Sequence, residues 1–423
     1  DRTASVTVPA GIVAQGHTYA WAAQSTTNAA VKHGPFSLTV DLERSGSQPI
    51  FNAGSISIAE ATGDAIYTYQ GPQLSTVGGP AGWTLIHRAT NTPQAGLPDG
   101  WKLAVAGTSG WDAIRLNTDG SVTLTTATGV GVTYVQRNGQ WQPQVGTYNA
   151  AGEATQLFQN ADGTFSTVDG NRVVTVLSKP TANQDGHPVS TWAMDTPALQ
   201  QHWADGRLRD LTDPVTQNQM VFLYSGDQGC ADKHDPGFIA APAGMLCGTI
   251  DWTGGVTALE YVDTPTGPQV GRIVNGLGLG VYAQVSDIGW DHSGRIVETR
   301  TPLATSTVAA HVVDGLGVQD TRAMTQITYD ASGRVATLTT PAGLISEKHQ
   351  QPSREQRATK VFTYAPFTVQ TEGVTTPMGF DSRDWLDPVT LHLVKQQDES
   401  GNVVTTEYDA SGNPTKVVDH SSG

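Results

Sequence analysis

Residues 329–341 read Tyr-Asp-Ala-Ser-Gly-Arg-Val-Ala-Thr-Leu-Thr-Thr-Pro. We interpret this stretch as the turn and return strand of a β-hairpin, in which the ring of Tyr329 ends the first strand. The carboxylate of Asp330 can accept a hydrogen bond from the backbone just downstream and so start a turn. Gly333 can adopt the positive φ that closes the turn, and Pro341 marks the strand end because it cannot donate to a ladder.

The same pattern occurs at three further places. It recurs closely in residues 290–302 and 408–419, and with a turn one residue shorter in residues 203–214. Trp290 and Tyr329 are 39 residues apart, and Tyr329 and Tyr408 are 79 apart, which indicates a period of about 40. One such hairpin is marginal alone, so we expect several to stack side by side and bury a shared face. The predicted structural residues of the repeat are Trp203, Asp205, Gly206, Trp290, Asp291, Gly294, Arg295, Tyr329, Asp330, Gly333, Arg334, Tyr408, Asp409 and Gly412.

The composition agrees with an all-β fold. The 423 residues include 47 Gly, and charged residues make up 15%. Helical runs rich in Ala, Glu, Lys and Leu are missing, whereas Thr and Val fill short alternating stretches between Gly, Asp and Asn turns. Asn-x-Asp-Gly tips such as Asn117–Gly120 and Asn160–Gly163 predict further hairpins rather than calcium loops, because the acidic residue at loop position 12 is absent.

The charge and hydropathy of the sequence argue against nucleic acids and membranes as partners. The formal net charge is −15, and the one locally basic stretch, from Lys348 to Lys360, is diluted by Glu355 and several Gln. A nucleic-acid-binding surface needs clustered Lys and Arg, so we expect no nucleic-acid partner. No run of 18 apolar residues is present, and we expect no membrane insertion.

The two cysteines, Cys230 and Cys247, flank a turn-rich loop. A disulfide is the favoured interpretation, and closing a loop of this size stabilises by about 3 kcal/mol in the chain-entropy model. Two free buried thiols, a metal site and a catalytic thiol are the alternatives, but His234 alone does not complete a zinc site. A disulfide favours an oxidising, extracytoplasmic location.

The sequence predicts no catalytic centre, no cofactor and no metal site. Motifs for zinc hydrolases, nucleophile elbows and phosphate-binding loops are missing. A glycoside hydrolase stays open as an alternative, since distant strands can place two carboxylates across a cleft. A carbohydrate-binding or adhesive module is the other alternative, in which Trp101, Trp111 and Trp141 would stack on sugar rings. The favoured interpretation of these three residues is that they fill the β core.

Tyr-Asp-x-x-Gly-Arg followed by a strand and Thr-Pro or Asp-Pro resembles the YD repeat of the RHS (rearrangement hot spot) and teneurin-like proteins. The resemblance covers residues 50–423, with the specific motifs in the second half, while the first residues resemble the last strands of a fibronectin-type-III-like domain. It implies three regions: 1–45 as a sandwich remnant or strand tail, 46–180 as a β-rich upstream region, and 181–423 as a YD-repeat sheet, with a sheet continuous across the last two regions as an open alternative.

The resemblance also implies a function and partners. The repeats would form a hollow β shell, secreted or at the cell surface, which encloses or displays a C-terminal toxin domain. The chain stops after Ser421-Ser422-Gly423, inside a repeat, and we interpret it as a segment of a longer polypeptide. Its expected partners are therefore further YD repeats and a C-terminal cargo domain of the same polypeptide, with a glycan or cell-surface contact as a further option.

Overall fold

The computed structural model is built from antiparallel strands, which confirms the all-β prediction. The structure describes residues 18–24, 32–39, 50–60, 62–77, 79–91, 93–105, 110–127, 131–143, 155–170, 172–182, 184–193, 199–230, 235–277, 283–302, 304–305, 324–341, 343–344, 355–357, 359–364, 370–373, 383–386, 392–398, 400–409 and 414–420. Among these residues, no helix is long and apolar enough to cross a membrane.

The chain begins with a hairpin and a five-stranded sheet. The hairpin pairs Thr18–Gln24 (β1) with Lys32–Thr39 (β2). Most of the region 1–45 lies outside the described residues, so its likeness to a fibronectin-type-III-like domain stays a prediction. The five-stranded sheet follows the order of the chain, as a meander of Ile50–Ala53 (β3), Ile56–Ala59 (β4), Asp64–Thr76 (β5), Gly79–Arg88 (β6) and Trp101–Val105 (β7).

A four-stranded meander comes next. Its strands are Trp111–Leu116 (β8), Val122–Thr126 (β9), Gly131–Arg137 (β10) and Gln140–Pro143 (β11). The predicted hairpin tip at Asn117–Gly120 joins β8 to β9, and Asn138-Gly139 joins β10 to β11 with positive φ at both residues. That pair of positive angles is the type I′ geometry that two-residue hairpins favour.

One sheet of sixteen strands dominates the rest of the molecule. Its neighbours are joined antiparallel from Gln156 to Gly373, without a break in the ladder. In spatial order the strands are Gln156–Gln159 (β12), Phe165–Val168 (β13), Val173–Leu177 (β14), Pro188–Ala193 (β15), Leu199–Ala204 (β16), Arg207–Thr212 (β17), Gln219–Tyr224 (β18), Leu246–Ile250 (β19), Val256–Thr264 (β20), Gly267–Leu277 (β21), Gln284–Trp290 (β22), Ile296–Arg300 (β23), Thr325–Tyr329 (β24), Val335–Thr339 (β25), Thr359–Tyr364 (β28) and Gln370–Gly373 (β29).

Two small sheets complete the described chain. A two-stranded ribbon, Gly343–Leu344 (β26) and Glu355–Gln356 (β27), lies in the connection between β25 and β28. A separate four-stranded sheet follows the long one and consists of Arg383–Leu386 (β30), Leu393–Gln397 (β31), Val403–Tyr408 (β32) and Pro414–Asp419 (β33).

The main hydrophobic core lies between the five-stranded sheet and the long sheet. Trp83 is fully buried, and its ring meets that of Phe222 edge-on at 6.3 Å between centroids. Trp101 donates from its indole Nε1 to Oε1 of Gln269, 2.8 Å away, and its ring lies beside Trp290. These contacts join residues more than a hundred positions apart, so the early sheet is a packed layer on the repeat sheet.

A second, smaller core forms a sandwich between β8–β11 and the first strands of the long sheet. It contains Ile114, Leu124, Val132 and Tyr134 of the four-stranded meander, packed against Leu157, Phe165 and Leu177. The long sheet therefore begins at Gln156 and passes through position 180, where the sequence suggested a regional boundary.

The tryptophans considered as sugar-stacking residues have different fates. Trp101 is 0% exposed and Trp111 is 2% exposed, so both fill the core, as the sequence favoured, and neither ring is open to a sugar. Each lies on the inward face of its strand and fills one of the two cores. Trp141 is only partly buried, at the margin of the second core.

Candidate functional site: aspartate turns, arginines and aromatic rings

The Asp-x-x-Gly-Arg turns at Asp291 and Asp330 have the same geometry. Oδ1 of Asp330 accepts hydrogen bonds from the backbone N–H groups of Ser332 and Arg334, both at 2.9 Å. The N–H of Gly333, at φ 81°, donates to the Asp330 carbonyl, and the Asp330 N–H donates to the Arg334 carbonyl. One carboxylate thus satisfies the backbone of a five-residue turn.

The second oxygen of each aspartate binds the arginine that ends the turn. Oδ2 of Asp330 accepts from Nε of Arg334 at 2.9 Å and from its terminal nitrogen at 2.7 Å. Asp291 and Arg295 are paired in the same way, at 2.8 and 2.7 Å. Because two nitrogens of each guanidinium bond to the same carboxylate oxygen, the arginine has a defined direction when it meets the next hairpin.

The arginine then covers the aromatic ring at the end of the next hairpin's first strand. The guanidinium carbon of Arg295 lies 4.3 Å from the Tyr329 ring centroid, and that of Arg334 lies 4.4 Å from the Tyr364 centroid. A guanidinium within about 6 Å of a ring centroid makes a cation–π contact. Each turn is therefore joined to the ring that follows it in the sheet.

The rings themselves bond back to the preceding strand. The hydroxyl of Tyr329 donates to the carbonyl of Ile296 at 2.7 Å, and that of Tyr364 donates to the carbonyl of Val335 at 2.9 Å. In both cases the acceptor is the residue directly after the stacked arginine. Ring, arginine and carbonyl thus form one unit between two hairpins.

Among the described residues, six aromatics share this backbone contact, and we call them the aromatic ladder; five of them end their strands, and Tyr261 lies within β20. The members without a preceding Asp-x-x-Gly-Arg turn donate in the same way, with Trp290 using its indole N–H. The complete set is Tyr224 to Leu208, Tyr261 to Leu246, Trp290 to Val270, Tyr329 to Ile296, Tyr364 to Val335 and Tyr408 to Leu393, at 2.7 to 3.0 Å.

The electrostatics of the turns follow from these bonds. Partial burial acts to raise the pKa of Asp330, but hydrogen bonds from the Arg334 backbone and side chain outweigh it, and the net pKa is lowered. The same balance lowers the pKa of Asp291. Burial raises the pKa of the Tyr329 hydroxyl, so it remains a donor over the whole range in which proteins are folded.

The copy at Trp203 differs from the others. Asp205 and Gly206 have φ of 53° and 72°, and they form a two-residue turn in which Ala204 pairs with Arg207. Trp203 stacks on His187 at 5.2 Å instead of donating to a preceding carbonyl. Arg207 still approaches the next ring, 5.4 Å from the centroid of Tyr224.

The last predicted copy is only partly described. Tyr408 ends β32, and its hydroxyl donates to the carbonyl of Leu393 on the neighbouring strand. Its ring also packs against His392, with 4.6 Å between centroids. Asp409 directly follows the strand, whereas Gly412 lies outside the described residues.

Some ladder and turn residues were missed by sequence reasoning. Asp251 and Asp398 hold turns of the same kind through their Oδ1 atoms, but neither follows an aromatic residue and neither is followed by Arg. The spacing Asp-x-x-Gly alone would have found both. Tyr224, Tyr261 and Tyr364 were also missed, since no Asp follows them directly.

Cys230 and Cys247 form a disulfide in the structure. Their Cα atoms are 5.8 Å apart, within the range that a disulfide spans. Cys247 lies on β19 and is buried, whereas Cys230 ends the turn that follows β18. The bond therefore ties the loop between these neighbouring strands to the long sheet. His234 lies outside the described residues.

A pair of carboxyl groups joins the five-stranded sheet to the last small sheet. Glu60, directly after β4, is 8% exposed, and Asp384 lies on β30. Burial, followed by the charge of Asp384, raises the pKa of Glu60 to about 7, although Lys360 acts in the opposite direction. Burial likewise raises the pKa of Asp384. Near neutral pH the pair therefore retains a proton that ordinary carboxyl groups have lost.

Possible metal ligands are dispersed over the part of the chain that the structure describes. There, no three His, Cys, Asp or Glu side chains lie close enough together to hold a metal ion. The turns and the ladder have their polar groups committed to one another, so the arrangement is suited to holding hairpins in register.

Of the comparisons with known proteins, the one with solved structures gives matches. No family model and no curated protein matches the chain. Among solved structures, it is similar to TcdB2-TccC3 without its hypervariable C-terminal region, at 12% identity and a TM-score of 0.28, over 84% of this chain and 21% of that one. It is also similar to the Tc holotoxin pore of Photorhabdus luminescens, at 11% identity and a TM-score of 0.23, over 84% and 22%.

A further crystal structure of TcdB2-TccC3 matches at 12% identity and a TM-score of 0.24, over 88% of this chain and 18% of that one. The chain thus spans about a fifth of the length of these structures.

Proposed function

We propose that this chain is a non-enzymatic structural section of a β shell, and that the shell encloses or displays a cargo domain carried further along the same polypeptide. The observation that carries the proposal is the unbroken sixteen-stranded sheet whose hairpins are joined in series by the aromatic ladder. This construction suits a wall that is extended hairpin by hairpin.

The width of the sheet supports the shell. Strands lie about 4.8 Å apart, so sixteen of them extend for roughly 70 Å along the hydrogen-bonding direction. Twisted open sheets rarely exceed about ten strands without curling or splitting. A sheet of this width therefore favours a curved wall, along which the arginine and tyrosine contacts join one hairpin to the next.

The disulfide supports an extracytoplasmic location for the protein. Disulfides persist in oxidising compartments and are rare in the cytosol. The proposed location is accordingly the secreted or cell-surface fraction, and the proposed partners are further YD repeats and the cargo domain of the same polypeptide.

Limited proteolysis of the full-length polypeptide tests enclosure. A domain that follows residue 423 should resist trypsin while the wall is intact, and it should become sensitive in the double variant Arg295→Ala/Arg334→Ala, which removes both stacked guanidinium groups. Arg137→Ala, at an exposed position on β10, is the matched control and should leave the protection unchanged. Cleavage of the cargo domain in the wild type as fast as in its isolated form would overturn the proposal.

The non-enzymatic part is tested separately, with a panel of glycoside and ester substrates on the purified chain. Turnover that survives repurification, and that a single carboxyl-to-amide substitution abolishes, would contradict it.

A further inference from the structure

The second core opens to solvent in a groove that no part of the proposed wall function uses. The groove lies where the edge strand β11 faces the edge strand β12, and its main cavity has a volume of about 700 Å³. A smaller cavity of about 280 Å³ is also lined by Trp141. Small-molecule sites typically enclose roughly 300–1,000 Å³, so the groove has the size of a binding site.

Two aromatic rings form the boundary between the groove and the core. Trp141 and Phe165 meet edge-on at 5.8 Å between centroids, one from each sheet of the sandwich. In the strand pairings, Gln136 is directly opposite Trp141, and Gln159 is directly opposite Phe165. Since directly opposed residues of an antiparallel pair point to the same face, each ring has a glutamine beside it. Gln136, Trp141 and Gln159 line both cavities.

The rest of the main cavity is also lined by glutamine amides and an aromatic ring. Gln140 and Gln156 add two more exposed amides, and Phe158 contributes an apolar ring that is 49% exposed. The side chains of the four glutamines make no hydrogen bond to any residue that the structure describes. Asn160, by contrast, uses its amide to bond Thr164 and Ser166 and so fixes the turn at the end of the groove.

The charge of the lining residues limits the chemical class of ligand that the groove can bind. The chain has a formal net charge of −15, yet none of the described residues that line the main cavity is Asp, Glu, Lys or Arg, and Lys179 is the one charged residue among the described lining of the smaller cavity. A charged ligand would lose its hydration there without gaining a counter-ion, which is costly. A ligand rich in hydroxyl groups has no such cost.

We propose that this groove binds a neutral oligosaccharide. Each amide offers two donors and an acceptor, which matches a hydroxyl that both donates and accepts. The apolar face of a pyranose ring packs on an aromatic face, and Trp141 and Phe158 supply aromatic surface at the groove. The amides of Gln136, Gln140 and Gln159 then form hydrogen bonds with the hydroxyl groups at the edge of the pyranose ring.

The test uses tetrasaccharides of neutral sugars, namely cellotetraose, xylotetraose, mannotetraose and chitotetraose, titrated into the wild-type chain by calorimetry. At least one should bind with a dissociation constant in the millimolar range or below. The double variant Gln136→Ala/Gln159→Ala should weaken that binding by about tenfold or more, the equivalent of one hydrogen-bonding contact. Gln200→Ala, an exposed glutamine on β16, is the matched control and should bind as the wild type does.

Trp141 also packs on the core, so its replacement needs a check on folding. Trp141→Phe keeps an aromatic ring against Phe165, and its far-ultraviolet circular dichroism and melting temperature establish whether the sandwich is intact. Failure of all four sugars to bind at millimolar concentration would overturn the proposal. Equal affinity of the double variant and the wild type for the sugar would also overturn it. Binding of anionic glycans alone, or of an extended peptide in place of the sugar, would do the same.

Discussion

The guanidinium carbon of Arg295 lies 4.3 Å from the ring centroid of Tyr329, and the Tyr329 hydroxyl bonds the carbonyl of the residue directly after that arginine. A single tyrosine thus makes two different contacts with the preceding hairpin. The contacts can be separated by substitution, because one depends on the ring and the other on the hydroxyl.

Tyr329→Phe removes the hydroxyl and keeps the ring. The carbonyl of Ile296 loses this donor in a mostly buried setting, so we expect the free energy of unfolding to fall by about 1 to 2 kcal/mol. Urea denaturation followed by circular dichroism measures the change. Tyr408→Phe removes the same bond at a more exposed position and should cost less. A loss at Tyr408 equal to or larger than that at Tyr329 would contradict the role of burial.

Asp330→Ala removes every acceptor that the turn's side chain offers. We expect a loss of about 1 to 3 kcal/mol, since two backbone donors and the guanidinium of Arg334 lose their partner together. Asp330→Asn retains an oxygen for the two backbone donors but replaces the oxygen that accepts from Arg334 by an amide nitrogen, so it should cost less than Asp330→Ala. Chemical denaturation of the two variants side by side makes the comparison, and equal losses would show that the backbone bonds contribute little.

The stability of the wild type should depend on pH through Glu60. Its pKa is raised from the ordinary 4.5 to about 7, first by burial and then by the charge of Asp384. The folded chain therefore holds a proton that the unfolded chain releases, and stability should fall as pH rises from about 4.5 to about 7, by a few kcal/mol. Below that window the two states bind the proton equally, and above it the loss stays constant.

Glu60→Gln should flatten this dependence, because an amide cannot release a proton. Melting temperatures measured at about pH 5 and about pH 8 give the slope for each variant. Glu407→Gln, on the exposed end of β32, is the control and should retain the wild-type slope. A slope that persists unchanged in Glu60→Gln would assign the effect to another group.

Reduction of the Cys230–Cys247 bond should lower the melting temperature. Closing a loop of this size removes unfolded-state entropy equivalent to about 3 kcal/mol in the chain-entropy model. The double variant Cys230→Ala/Cys247→Ala should melt near the temperature of the reduced wild type and should not respond to reductant. The idea fails if mass spectrometry shows complete reduction while the melting curve does not move.

Much of the repeat was predictable because its determinants are local. Asp330, Gly333 and Arg334 act within five consecutive residues, and their spacing is visible in one dimension. The same locality made the tips at Asn117–Gly120 and Asn160–Gly163 predictable as turns. Asp251 and Asp398 escaped only because an aromatic neighbour and an arginine were taken as part of the pattern.

The sheets that cover the tryptophans and the position of the groove could not be predicted, because they depend on contacts between residues far apart in the sequence. Alternation along a strand says that Trp101 and Trp111 lie on one face, but it does not say whether another sheet covers that face. Trp101 is buried because its strand packs on the long sheet, where its indole meets Gln269 across 168 positions of sequence. The glutamines of the groove could not be predicted either, because Gln136 and Gln159 line one cavity only when two separate sheets are stacked.

The aromatic ladder has a direction. In each of its six contacts the donor ring comes later in the chain than the carbonyl that accepts its proton. A hairpin leaving the ribosome therefore finds its acceptor already in place on the hairpin made before it, and it needs nothing that is still to be synthesised. The order of bonding matches the order of translation, so the wall can be completed from its amino-terminal side while the chain is still growing.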